Sequence, residues 1–134
     1  MAELVALRLA LPARLHRQPL DELLASLTPA HSVRADALDW PSFRRDVLRV
    51  EHALYLLRWP WDTCLYRVLA RYAVLRRNGM EATFVMAVGP GGVEDDGHAW
   101  IELDGAPFEE PKDLSRYAVT FRFAPGKSAK SEAI

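Results

Sequence analysis

Cys64 is the only cysteine in the chain, and its neighbours make the thiol a candidate nucleophile. The run Trp59-Pro60-Trp61-Asp62-Thr63-Cys64 leads from a rigid segment into a helical pattern, so the sulfur falls in the first turn of a predicted helix. The leading N–H groups of a helix lack intrahelical partners and carry partial positive charge, a setting that favours a thiolate over a thiol. Further along, Gly97-His98-Ala99-Trp100 opens a strand-like run, and Glu109 and Glu110 follow a tight turn. A thiol, an imidazole and a carboxylate in that order suit a cysteine-nucleophile hydrolase or acyltransferase. The sulfur attacks a carbonyl and the imidazole protonates the leaving amine. The imidazole then activates water against the thioester, while the carboxylate fixes its tautomer. A plainer reading competes, because single cysteines commonly fill small gaps in a core. Two features favour chemistry: Cys64 sits at the helix mouth beside the apolar stripe, and Gly97 lets another group approach the backbone before His98.

The elements that must carry these groups change character midway. Residues 3–57 read as helical and irregular, cut into pieces by Pro12, Pro19, Pro29 and Pro41. A helix from Asp39, with Pro41 in its first turn, aligns Phe43, Val47, Val50, Leu54 and Leu57 on one face. The next helix spans 63–77, capped by Asp62 or Thr63, with Leu65, Val68, Leu69, Tyr72 and Leu75 as its buried stripe and Asn78-Gly79 as its stop. After residue 80 the period becomes that of strands. Residues 82–88 are nearly all apolar, as in a central strand covered on both faces. An acidic, glycine-rich loop follows. Then come a strand over 98–103, a turn at Asp104-Gly105, a returning strand over 106–110, and an alternating strand through Tyr117, Val119, Phe121 and Phe123. Helices first and an antiparallel sheet second make an α+β fold.

Turn geometry decides which carboxylate meets His98. A three-residue loop ending with Gly105 in the left-handed conformation pairs Glu102 with Ala106 and sets Glu110 directly opposite His98. A two-residue turn at Asp104-Gly105 slips the register by one, places Pro111 opposite His98, and leaves Glu109 as the diagonal carboxylate. Ladder geometry alone leaves both open.

Other classes are disfavoured. At 134 residues with half of them apolar, the chain is one domain able to bury a core without disulfides or metals. A formal charge of −1 gives no general attraction to nucleic acid or membrane. Glu3 and Arg8 break the apolar start, which argues against a signal peptide, and no run of about 18 apolar residues could span a bilayer. A lone thiol is safest in a reducing compartment, so a cytoplasmic protein is expected. His16, His31 and His52 have no partners at metal-ligand spacing, and no metal or cofactor is expected. Trp59 and Trp61 flank the nucleophile, as walls of a substrate groove or as core anchors, and Trp100 is a third candidate for substrate contact. The arginines at 44, 45, 49, 71, 76 and 77 read as solvated faces, with an acidic partner as the alternative. The Cys64 N–H is the candidate oxyanion donor.

Taken together, Pro60-Trp61 before Cys64-Leu65, Leu75-Arg76-Arg77-Asn78-Gly79, and His98-Ala99-Trp100-Ile101-Glu102-Leu103-Asp104-Gly105 resemble the transglutaminase-like cysteine peptidases of lasso-peptide biosynthesis. The resemblance covers roughly residues 58–123, with a looser match before it. It implies a transglutaminase-like, papain-related core over 59–124, with 1–58 as a helical part of the same domain; the polar run over 125–134 reads as a disordered tail. It matches Cys64 to the nucleophile, His98 to the base and Glu110 to the acid, where the family often has an aspartate, shorter by one methylene. The implied task is cutting the leader from a ribosomally made precursor peptide. The implied partners are that leader, a separate leader-binding protein and an ATP-dependent cyclase. Acyl transfer, deamidation or a silent peptide-binding adaptor are the alternatives.

Overall fold

A computed structural model describes residues 2–29, 39–60, 63–90, 97–110 and 113–124. Four helices precede four strands: α1 (Ala2–Arg17), α2 (Leu20–Leu27), α3 (Trp40–Leu56), α4 (Cys64–Arg77), β1 (Ala82–Val88), β2 (Gly97–Leu103), β3 (Ala106–Pro107) and β4 (Ala118–Phe123). The α+β architecture read from the periodicity is the one observed. The strands form one antiparallel sheet in the order β3-β2-β1-β4.

The central helix is α4. Every residue from Val68 to Leu75 is buried, more than the single stripe that helical periodicity predicts, because α1 and α2 cover α4 on one side and the sheet covers it on the other. Leu65 is only partly buried, near the exposed start. Asn78 and Gly79, the latter at φ +81°, end the helix as expected. Burying side chains such as Leu69, Leu75 and Phe84 stabilises the fold by roughly 1.5–3 kcal/mol each before the entropy of ordering them is counted.

The sheet has two apolar faces. Ala82, Phe84, Ala99, Ile101 and Phe123 join the large core shared with the helices. Val85, Ala87 and Trp100 form a smaller core on the opposite face, with Leu114, Tyr117 and Val119 packed against it. Coverage on both faces explains why β1 reads as a nearly all-apolar run.

Three local expectations are corrected. Pro12, read as a break, lies inside α1. It removes one N–H from the helix, but Leu4, Leu7 and Leu11 are buried before it and Leu15 packs partly buried after it, and tertiary packing carries the helix through. Leu57, expected on the apolar face of α3, is 77% exposed because the helix ends at Leu56 and its successor sits in the cap. The returning strand, expected over 106–110, stops after Pro107. Trp61, Asp62, the acidic loop at 91–96 and the tail from 125 lie outside the described residues.

Candidate functional site

The site begins at the first residue of α4. Thr63 accepts a hydrogen bond from the Tyr66 N–H at 3.5 Å, the local cap that starts the helix there. Cys64 is partly exposed. Helical spacing puts Arg67, Val68 and Arg71 on the same side as Cys64, and all four line one cavity of about 750 Å³. Leu48 of α3 forms another part of the wall. Gly97, His98 and Ala99 of β2, with Pro107, Glu109 and Glu110 beyond the hairpin, complete it.

His98 reaches that cavity from the other face of the sheet. It pairs across the ladder with Ala87, and so shares a face with Val85 and Trp100. Its ring stacks on Trp100 with centroids 6.0 Å apart and tilts against Tyr117 at 5.5 Å. The residue is 8% exposed. Because β3 is only two residues long, its ladder covers only Glu102 and Leu103 of β2. One more bond follows on that edge, from the Phe108 N–H to the Ile101 carbonyl at 2.8 Å. The start of β2 therefore lacks a β3 partner, and the cavity at this edge is lined by both Cys64 and His98.

The hairpin takes the two-residue turn, with Asp104 at φ +51° and Gly105 at +78°, and pairs Leu103 with Ala106 and Glu102 with Pro107. Continued as a ladder, that register would bring Glu109 diagonally toward His98. The chain leaves the ladder instead. Glu109 adopts a left-handed backbone at φ +48°, uncommon for a residue with a Cβ, and the next side chain, Glu110, comes to the imidazole. Its Oε1 lies 3.0 Å from His98 Nε2, with the two side chains 7% and 8% exposed. The distance is that of an ion pair, although the ring N–H is not aligned for a linear hydrogen bond. With Nε2 facing the carboxylate, Nδ1 is the ring nitrogen left for proton exchange with a thiol. The Glu109 carboxylate goes elsewhere, to Arg44 of α3. That pairing raises the Arg44 pKa above its ordinary value, chiefly through the side-chain hydrogen bond.

Arg71, read from the sequence as part of a solvated face, is buried at 7% exposure. Its Nε and Nη2 donate to Glu51 Oε1 and Oε2 at 2.6 and 2.7 Å, and its Nη1 points to the carbonyls of Phe108 and Glu109 at 3.4 and 3.2 Å. One signal could have found it. Residue 71 lies two turns after Cys64, among residues otherwise apolar from 68 to 75 apart from the Tyr72 hydroxyl.

Of the described candidates, neither Trp59 nor Trp100 lines the cavity. Trp59 packs on the large core and lines a separate depression with Pro12, His16 and Tyr66. Trp100 is 5% exposed and supports the His98 ring from behind. Among the described residues, no cluster of His, Cys, Asp and Glu is arranged to hold a metal ion, and no helix is long and apolar enough to cross a membrane.

Compared with known families, residues 4–122 match the family model described as the transglutaminase-like superfamily. The match begins in α1, earlier than the motifs that carry the sequence resemblance. No curated protein and no solved structure matches the chain.

Proposed function

The chain belongs to the transglutaminase-like superfamily, and on that premise we propose that it is a cysteine peptidase that removes the leader from a ribosomally made precursor peptide. Cys64 is the nucleophile, His98 the base and Glu110 the acid. The observation that supports this most is the buried Glu110 carboxylate beside His98 Nε2, in a cavity that Cys64 also lines.

The Cys64 thiolate adds to the scissile carbonyl, and the Cys64 N–H, at the helix start, donates to the oxyanion. The carbon–nitrogen bond breaks as the imidazolium gives its proton to the leaving amine, leaving a thioester on Cys64. Water then attacks the thioester. The imidazole takes its proton, the carbon–sulfur bond breaks, and the acid product leaves with the thiol restored. Glu110 holds the ring so that Nδ1 meets the sulfur, and it stabilises the imidazolium.

The wider reading follows the sequence resemblance. A separate leader-binding protein delivers the precursor, and an ATP-dependent cyclase acts on the released peptide. The work is done in the cytoplasm, where a lone thiol stays reduced. The superfamily's description favours one second reading: the same thioester passes its acyl group to an amine in place of water.

The test is to incubate the purified chain with its neighbouring precursor, with and without a leader-binding protein, and to follow the products by mass spectrometry. A leader fragment that vanishes in Cys64→Ala supports the peptidase. An amine-coupled product supports acyl transfer. Tight binding with no Cys64-dependent product overturns both and leaves an adaptor.

A further inference from the structure

We propose that Arg71, held in place by Glu51, is a positioning residue that sets Glu110 against His98; the inference rests on reading His98 and Glu110 as base and acid. Past the Phe108 N–H bond to the Ile101 carbonyl, the described segment that brings Glu110 to the imidazole has no ladder to hold it, since β3 ends at Pro107. It also contains a left-handed glutamate, a conformation that persists only where the surroundings impose it. Those surroundings are specific. The Arg71 guanidinium lies 5.6 Å above the Phe108 ring and donates toward the Phe108 and Glu109 carbonyls, the two peptide groups directly before Glu110.

Glu51 fixes the fork from the other side. Its carboxylate accepts from Nε and Nη2, leaving Nη1 aimed at the segment. Phe108 is buried against Trp40, with ring centroids 5.6 Å apart in an edge-on contact. Arg44 holds the Glu109 side chain at the rim. The outcome is a chain of contacts from α3 through α4 to the backbone that presents Glu110. Only a planar fork can bind a carboxylate and two carbonyls in this way, so lysine keeps the charge and loses the function.

The test uses the full chain and reads His98 directly. Long-range proton–nitrogen NMR of the imidazole reports the Nε2 resonance in wild type, Glu110→Gln, Arg71→Lys and the double variant Glu51→Leu with Arg71→Met. Arg71→Met alone strands the Glu51 charge in a buried place and harms folding for reasons unrelated to Glu110. The double variant replaces the whole pair by apolar side chains, which folds commonly tolerate.

Glu110→Gln is expected to move the Nε2 resonance. Arg71→Lys and the double variant should move it the same way, by at least about half as much, while the backbone spectrum away from 108–110 stays native. An Nε2 resonance left at its wild-type place by the double variant overturns the proposal. So does one left in place by Glu110→Gln. This readout needs no substrate, so it stands even if leader removal proves wrong. Where peptide turnover is measurable, the double variant should lower kcat by about tenfold with KM within about twofold, and adding Glu110→Gln should cost no more than about twofold further. Losses that multiply would mean Arg71 does not act through Glu110, and would overturn the proposal.

Discussion

Glu109 and Glu110 are neighbours in the chain and serve different partners: Arg44 on α3 takes the first carboxylate, and His98 lies 3.0 Å from the second. The left-handed backbone of Glu109 separates them. An extended Glu109 would keep the segment on the ladder, where the two-residue turn leaves Glu109 nearer the imidazole. A kink of one residue therefore selects which carboxylate meets the imidazole.

The two carboxylates should differ in substitution. In the proposed mechanism Glu110 orients and stabilises the imidazolium, so with Glu110→Gln turnover should fall by more than about tenfold. Glu109→Gln weakens a half-exposed ion pair with Arg44, and turnover should change by less than about threefold. Steady-state kinetics on the same peptide checks both, and equal small losses would remove Glu110 from the acid's role.

Stability should depend on α4 far more than on the end of α3. Leu69 is fully buried between helices and sheet, and Leu69→Ala should cost about 2–5 kcal/mol. Leu57 is 77% exposed, and Leu57→Ala should cost about 0.5 kcal/mol or less. Urea unfolding midpoints distinguish the two; similar values would contradict the packing described.

Tyr72 should titrate apart from the other tyrosines. Burial pushes its phenol pKa above the ordinary value of 10.0, opposed by the hydrogen bond with Thr28 and by Arg76. The Thr28 hydroxyl lies 2.8 Å from the Leu24 carbonyl and 2.6 Å from the Tyr72 hydroxyl, so it can turn its proton to the phenolate when that forms. Folding favours the neutral phenol. Its contribution to stability is complete below the unfolded pKa of 10.0 and is lost as pH rises through the higher folded value. Ultraviolet titration of wild type against Tyr72→Phe should show the missing phenolate signal in the most alkaline part of the curve. A loss spread evenly, or at lower pH, would contradict the assignment.

Much of this arrangement could be read from residue order, and the parts that could not share a physical cause. Cys64 at a helix start was legible because Thr63 is a capping residue and Asn78-Gly79 a stop, both local signals. The central strand was legible from its nearly all-apolar run. Pro12 misled because propensity is local, whereas burial of Leu4, Leu7 and Leu11 against other helices is not. Arg71 misled for the same reason: an arginine reads as surface until Glu51 and two distant carbonyls are brought to it. The kink at Glu109 has no signature in residue type at all, since glutamate is not a left-handed residue by preference. Adjacency to Cys64 left Trp59 open between groove wall and core anchor, and the chain packs it on the core.

The most direct measurement concerns the sulfur and the imidazole together. Cys64 is the only cysteine, so intact-mass analysis during iodoacetamide treatment follows that thiol alone. If His98 assists its ionisation across the shared cavity, His98→Ala should slow alkylation by about tenfold or more at neutral pH while the fold is retained. Equal rates in wild type and His98→Ala would mean that the two groups do not act on each other, and would contradict the proposed chemistry.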